Sequence, residues 1–265
     1  MDFDLSDDQR LLKDSVDRLV ADRYGFEQRK QHAAGPDGWS REIWRGFSEL
    51  GLLGLPFDEA HGGYGGGPVE TMIVMEAFGR GLVLEPYFAT VVLGGGLIRR
   101  AGSAKQQEEL LPRVAAGDLL LAFAQMERQS RYDLFDVRTT AKRNGPGWVV
   151  DGAKTVVLHG DAADKLLVTA RISGAARDRE GIGLFLVDAN ASGLARHTYP
   201  TQDGLRAADI IFANAPADAV IGDPEHALPA IERVVDEAIA ALSAEAVGVM
   251  SEMHETTVDY MKTRK

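Results

Sequence analysis

Trp148-Val149-Val150-Asp151-Gly152-Ala153-Lys154-Thr155-Val156-Val157-Leu158 is the stretch whose reading decides the fold. It follows Asn144-Gly145, a pair that tolerates positive φ and marks a hairpin. Asp151-Gly152 reads as a second turn, so strands are expected over 148–150 and 155–158. Upstream, 119–124 is an apolar run of strand length, and 137–142 continues in β-favouring residues. Downstream, 166–170, 183–187 and 209–212 read as further strands. Short strands with frequent turns point to a small sandwich or barrel.

Helical periodicity lies on both sides. Ser6 and Gln9 have capping-box spacing, and Leu12, Val16, Leu19 and Val20 follow at helical intervals. A second helix is expected to hold Ile43, Trp44, Phe47 and Leu50, stopped by Gly51 and Gly54. The loop Gly62-Gly63-Tyr64-Gly65-Gly66-Gly67 precedes Pro68, which suits a first helical turn because its missing N–H costs nothing there. That helix carries Met72, Ile73, Met75, Glu76 and Phe78 and is expected to end at Gly79. Further helices are expected over 87–100 and 104–116. From Leu228 one stripe runs through Ile231, Val235, Ile239, Leu242, Ala246, Val249, Met250 and Met253. It predicts a helix from about 228 to the end, whose apolar face needs neighbours. The sequence stops at Arg264-Lys265, which reads as a fragment or as a stripe covered by another chain. The fold class is α+β, with a helical domain over 1–117, a β domain over 118–222 and the start of a truncated helical bundle over 223–265.

The 265 residues are 45% apolar and 26% charged, as in globular proteins. The net charge of −11 repels phosphate backbones, so nucleic acid is not an expected partner. There is no cysteine, which excludes a disulfide scaffold, a thiolate metal site and a cysteine nucleophile. The acidic opening, Met1-Asp2-Phe3-Asp4-Leu5-Ser6-Asp7-Asp8, is unlike a signal peptide, and no membrane-spanning run is visible. A cytoplasmic location is expected.

Motif chemistry alone gives little. The glycine loop 62–67 has no strand leading into it and fails the dinucleotide fingerprint, and Gly94-Gly95-Gly96 fails as well. Gly96 is better read as room for a second helix. No two of the six histidines have short metal-ligand spacing. No G-x-S-x-G elbow exists. Glu232, Glu237 and Glu245 read as solvated or paired, and Lys262, Arg264 and Lys265 as cations at a helix C-terminus.

Several motifs in order resemble the acyl-CoA dehydrogenase family. Leu50-Gly51-Leu52-Leu53-Gly54-Leu55-Pro56 followed by the glycine loop is similar to its "LG-x-x-G-x-P … GG-x-G-x-G" entry. Trp148 to Lys154 resembles "W-x-[LIV]-[DN]-G-x-K". Gly204-Leu205-Arg206 before Ile210-Ile211-Phe212 resembles "G-x-R … V-x-F", and Tyr260 to Lys265 the start of "Y-x-x-x-R-x-x-F-G". Within the family, segments 127–133 and 200–204 look most like the small subunit of pimeloyl-CoA dehydrogenase.

The resemblance implies an FAD-linked oxidoreductase that dehydrogenates an acyl-CoA thioester at its α,β bond, including a dicarboxylic one such as pimeloyl-CoA. A carboxylate takes the α-proton, and FAD carries the redox chemistry. It implies homo- or hetero-oligomers with a related dehydrogenase subunit, and electron-transfer flavoprotein as a partner. It places FAD contacts at Phe123, Gln125, Met126, Val156, Leu158 and Arg264, and a substrate contact at Tyr132.

This sequence departs from that pattern. At "T-E-P-x-x-G-S-D" it has Met126, Glu127, Arg128, Gln129, Ser130, Arg131, Tyr132 and Asp133. At "W-[IS]-T-N-G" it has Val156, Val157, Leu158, His159 and Gly160. Both ring-contacting threonines and the flanking tryptophan are therefore replaced. The position where a minority of the family carries the base aligns with Ala238, and the neighbouring Glu237 points about 100° away. No catalytic residue is assigned. Arg264 matches the arginine that reaches the FAD pyrophosphate of an adjacent subunit, a role suited to a bidentate guanidinium. The expectation is a subunit with a degenerate flavin pocket that lends Arg264 to a partner. The rival expectations are a flavin still bordered by Met126, Val156 and Leu158 through backbone contacts, with N–H groups at 126 and 158 contributing, a non-catalytic structural subunit, a flavin-dependent monooxygenase on the same scaffold, and an inactive truncated product.

Overall fold

A computed structural model describes residues 4–264. The first three residues of the acidic opening, and Lys265 of the basic C-terminal group, lie outside the described residues. Helices α1 (Asp7–Arg23), α2 (Phe26–Ala34), α3 (Arg41–Glu49) and α4 (Pro68–Gly81) come first. A π-helical segment, Phe88–Gly95, runs directly into α5 (Gly96–Ala101), and α6 (Ala104–Ala115) follows. The Ser6–Gln9 box is formed: Gln9 N donates to Ser6 Oγ at 3.2 Å and Ser6 N to Gln9 Oε1 at 2.9 Å. Helix α2, which buries no residue, has no apolar period to announce it. Helix α4 runs two residues past the expected Gly79.

The middle of the chain is one sheet: β1 (Leu121–Ala124), β2 (Thr140–Asn144), β3 (Gly147–Leu158), β4 (Lys165–Arg171), β5 (Ile182–Asp188), β6 (Leu194–Pro200), β7 (Arg206–Ala217) and β8 (Ala219–Val220). The order is β6-β7-β3-β2-β4-β5-β8, with β1 parallel to β4. The β3–β7 and β4–β5 halves share one core containing Val150, Val157, Phe185, Ile210 and Phe212. The hairpin expected at Asn144-Gly145 joins β2 to β3 one residue later: Asn144 ends β2, paired with Gly147, and Gly145-Pro146 make the turn, with positive φ at Gly145 and not at Asn144. The expected turn at Asp151-Gly152 is corrected: β3 runs through it, and the register against β7 shifts there as in a bulge. Gly152 has φ +146°, and a Cβ there would lie 2.7 Å from Thr139 atoms, so only glycine fits.

Helix α7 (Leu228–Thr263) has 36 residues and is about 54 Å long at 1.5 Å per residue. The expected stripe is only partly its buried face. Leu228 and Ile231 are buried, but the rest of the seam is Val234, Ala238, Ala241, Ala244 and Gly248. Ile239, Leu242, Met250 and Met253 are exposed. The reason is close approach. A Cβ on Gly79 of α4 would lie 2.0 Å from the Glu245 carbonyl oxygen, and one on Gly248 would lie 1.9 Å from that of Glu76. Small residues let the two backbones touch, and large side chains turn outward. Gly96 plays the expected part, with Val234 Cγ1 3.2 Å from where its Cβ would be. No helix among the described residues is long and apolar enough to cross a membrane.

Candidate functional site

The loop after β1 is tied to β3 by a buried ion pair. Lys154 Nζ lies 2.8 Å from Glu127 Oε1, and also donates to Thr169 Oγ1 at 2.9 Å and to the Gln125 carbonyl at 3.2 Å. Both side chains are almost fully buried. Arg138 N and Thr139 N donate to the other lone pairs of Glu127, each at 3.0 Å. Burial works to raise the Glu127 carboxyl, but the Lys154 ammonium and these donors outweigh it and hold it down at about 2. Burial pushes the Lys154 ammonium down to about 8 against the pull of Glu127, so it is charged at neutral pH.

That clamp fixes Met126 beside β3. Thr155 N donates to the Met126 carbonyl at 2.8 Å. The next residue, Val156, has φ +51°, a left-handed conformation costly for a β-branched side chain. His159, at φ +50°, repeats it three residues on. Asp209 Oδ1 holds the first of these bends, accepting from Thr155 Oγ1 at 2.6 Å, Val156 N at 3.2 Å and Tyr199 OH at 2.9 Å.

Below Leu158 and His159 lies a cavity of about 150 Å³ between α4, the π-helical segment, the end of β3 and α7. Phe78, Phe88, Leu158, Leu205 and Leu242 form its apolar walls. Thr90 Oγ1 braces the π-helical wall, bonding both the N–H and the carbonyl of Leu121 at 3.1 Å. Tyr87 OH and His159 Nδ1 are buried there, and neither has a hydrogen-bond partner among the described residues. Burial lowers the His159 imidazole to about 4, with Asp203 opposing and Arg206 assisting, so it is neutral at pH 7. The charged residues lining the cavity are Glu85, Asp203 and Glu245. Burial raises both glutamates, and Asp203 raises Glu245 further. Glu85 already accepts from Tyr24 OH and from Ser40 N.

The structure brings together Phe123, Gln125 and Met126, at and beyond the end of β1, with Val156 and Leu158 on β3. Phe123 is half-buried against the main core, and Leu158 alone of the five lines the cavity. Tyr132 stands apart on a surface loop, 94% exposed. Arg264 caps α7 and is exposed. Ala238 is buried in the α7 seam, and Glu237 is paired with Arg99, Arg100 and Arg233, so it is occupied elsewhere, as its angle suggested. Those three arginines rim a second groove of about 460 Å³, floored by Phe57, Met72 and Val91, which contains none of the expected site residues. Sequence reasoning missed Glu85, Tyr87, Asp203, the Asp209 cluster and the cavity role of His159 and Glu245. The available signal was Glu85, a lone carboxylate in the apolar run Val83-Leu84-Glu85-Pro86-Tyr87.

A profile of the acyl-CoA dehydrogenase N-terminal domain matches residues 6–118, and one of the acyl-CoA dehydrogenase middle domain matches residues 122–215. Acyl-CoA dehydrogenase FadE12 of Mycobacterium tuberculosis (strain ATCC 25618 / H37Rv) is 30% identical over 98% of this chain and 68% of its own length. The mitochondrial long-chain specific acyl-CoA dehydrogenase of Mus musculus is 30% identical over 85% of this chain. The chain spans about half of that relative, 54% of its length. Among solved structures, the ChsE4-ChsE5 complex from Mycobacterium tuberculosis is similar at TM-score 0.88 and 26% identity, over 100% of this chain and 69% of that one.

Proposed function

This chain belongs to the acyl-CoA dehydrogenase family, and on that premise we propose that it is one subunit of an FAD-linked acyl-CoA dehydrogenase whose own flavin-ring pocket is degenerate. The observation that carries the reading is the polarity of the surface beside Met126, Val156 and Leu158. A flavin ring has carbonyl oxygens and ring nitrogens that need donors, and an N–H that needs an acceptor. Met126 offers only a weakly accepting thioether, and Val156 and Leu158 offer hydrocarbon. The Val156 N–H is already taken by Asp209, at 3.2 Å. These side chains do not fit a flavin ring, and no step of the reaction runs through flavin on this chain. Two missing hydrogen bonds at about 0.5–1.5 kcal/mol each weaken such a site by roughly fivefold to a hundredfold.

What the chain keeps is a cation for a neighbour. Arg264 ends an exposed stretch of α7, free to present its fork to the pyrophosphate of FAD held by a related subunit. The exposed Ile239, Leu242, Met250 and Met253 support association with such a subunit, since rows of large apolar side chains mark interfaces. The ChsE4-ChsE5 complex is by its name a two-component assembly, which agrees with this reading. Acyl-CoA is the substrate class of the assembly and an electron-transfer flavoprotein its electron acceptor, as the family implies. A pimeloyl-CoA substrate rests on segments 127–133 and 200–204 alone.

The test is the visible spectrum of the purified chain after incubation with excess FAD and desalting. No flavin band is expected. A stoichiometric band, with oxidation of an acyl-CoA, overturns the reading.

A further inference from the structure

One segment of the helical domain is pinned at both ends and held lightly between them. Tyr24 OH, just before α2, donates to the buried Glu85 carboxylate, and Ser40 N, at the cap of α3, donates to the same carboxylate at 3.0 Å. From 25 to 37 no residue is buried. Ala33 packs against the main core, and the His32 ring lies 5.8 Å from that of Tyr24. Across the middle, the helical and β domains exchange arginines. Arg29 of α2 donates through Nε to the Leu82 carbonyl and through Nη2 to the Asp203 carbonyl, each at 2.8 Å. Arg206, the first residue of β7, donates back to the Pro36 carbonyl at 2.7 Å and the Gly35 carbonyl at 3.2 Å. Each grip sits against a glycine at positive φ. A Cβ on Gly204 (φ +87°) would come 3.3 Å from Arg29 Nη2, and one on Gly38 (φ +76°) would fall on Arg206 Nε. The first grip ends on a cavity wall, since Asp203 and Leu205 line the cavity below His159.

We propose that residues 25–37 are a releasable strap, which lifts as a local unit while the rest of the chain stays folded and frees the loop 201–205 from the cavity wall. The energetics follow from what each part buries. An element opens by itself where it holds little apolar contact and its hydrogen bonds are exposed. Three of the four arginine bonds are exposed, so their donors and carbonyls rehydrate at small net cost. The two bonds to Glu85 are at least partly buried, so the strap swings between fixed ends. The loop 201–205 is closed on itself, Thr201 N donating to the Leu205 carbonyl at 2.9 Å and Gly204 N to the Thr201 carbonyl at 3.1 Å. It therefore moves as a piece once Arg29 lets go. The strap rests on its own bonds and does not depend on whether this chain holds flavin.

The test is native-state hydrogen exchange of the full chain, read by mass spectrometry on peptides over α1, 25–37, α4 and 201–206. In the unsubstituted chain, 25–37 is expected to exchange roughly a hundredfold faster than α1 and α4, by an opening insensitive to low urea. Arg29→Met keeps the apolar stem and similar helix propensity but removes both donors. It is expected to speed 25–37 and 201–206 together by roughly tenfold. Lys30→Met, which breaks an ion pair to Glu27 within the same helix, is expected to change neither. Protection of 25–37 equal to that of α1, an Arg29→Met effect that leaves 201–206 unchanged, or an equal effect from Lys30→Met overturns the proposal. Where Arg29→Met fails to fold, the unsubstituted chain decides: 25–37 and 201–206 must lose protection together, below the urea range in which α4 does.

Discussion

Lys154→Met tests the buried clamp between β3 and the loop after β1. The lysine is fully buried, and its three hydrogen bonds go to Glu127, Thr169 and the Gln125 carbonyl. Methionine fills similar volume but leaves the Glu127 carboxylate buried without its counter-charge. Breaking one side of a buried pair costs about 3–5 kcal/mol. The carboxyl gives a second route to the magnitude: its descent from 4.5 to about 2 is worth about 3 kcal/mol, at roughly 1.36 per pH unit. For a chain of this size that lowers Tm by about 6–20 °C. The sign of the pH dependence follows. A carboxyl held low in the folded state stabilises fully above 4.5, and that stability is lost as pH falls toward about 2. Without Lys154, burial raises the carboxyl, and the acid loss shrinks. The assay is urea unfolding at pH 7 and across pH 5 to 3, with a double-mutant cycle through Glu127→Gln. A loss under 1 kcal/mol at pH 7, or an unchanged acid limb in the variant, refutes the reasoning.

Gly248→Ala is expected to destabilise by about 1–3 kcal/mol in chemical unfolding despite alanine's better helix propensity, because the new Cβ falls 1.9 Å from the Glu76 carbonyl oxygen. Met126→Thr combined with Leu158→Thr returns two hydroxyls beside β3, and the FAD retained after desalting, read by absorbance, is expected to rise above that of the unsubstituted chain.

The parts of the fold legible in the sequence were those whose signal is local. Ser6 and Gln9 spell a cap, and the pair Asn144-Gly145 marks a hairpin to within one residue, because the bonds involved span three residues or fewer. Asp151-Gly152 carries the same hairpin signal and misleads, since Gly152 takes φ +146° to let Thr139 come close and the β3–β7 ladder continues on both sides. Strand β6 holds Arg196 and His197 and was not visible, because its place is set by its pairing with β7. On α7 the large apolar residues drew the eye, yet the buried seam is the small ones, a choice made by the distance to α4. The motif positions Met126, Val156 and Leu158 were legible by resemblance. The cavity was not, because Glu85, Tyr87, His159, Asp203 and Glu245 come from four separate segments.

The persistence of the bend at Val156 has a local cause. A valine at φ +51° is strained, and such strain survives only where the surroundings over-determine it. Asp209 supplies that constraint with three bonds to one oxygen, from Thr155, Val156 and Tyr199. The Thr155 hydrogen bond leads in holding its carboxyl below the usual range, so it is an ionised acceptor at neutral pH. The lysine clamp to Glu127 fixes the other side through Met126. Neither brace uses a group that a flavin would need to touch, apart from the Val156 N–H. The backbone of the site can therefore keep its shape while the side chains lining it lose their polarity. On the proposed reading, that separation of scaffold from chemistry is what lets this chain lose its ring contacts and still present α7 and Arg264 to a neighbour.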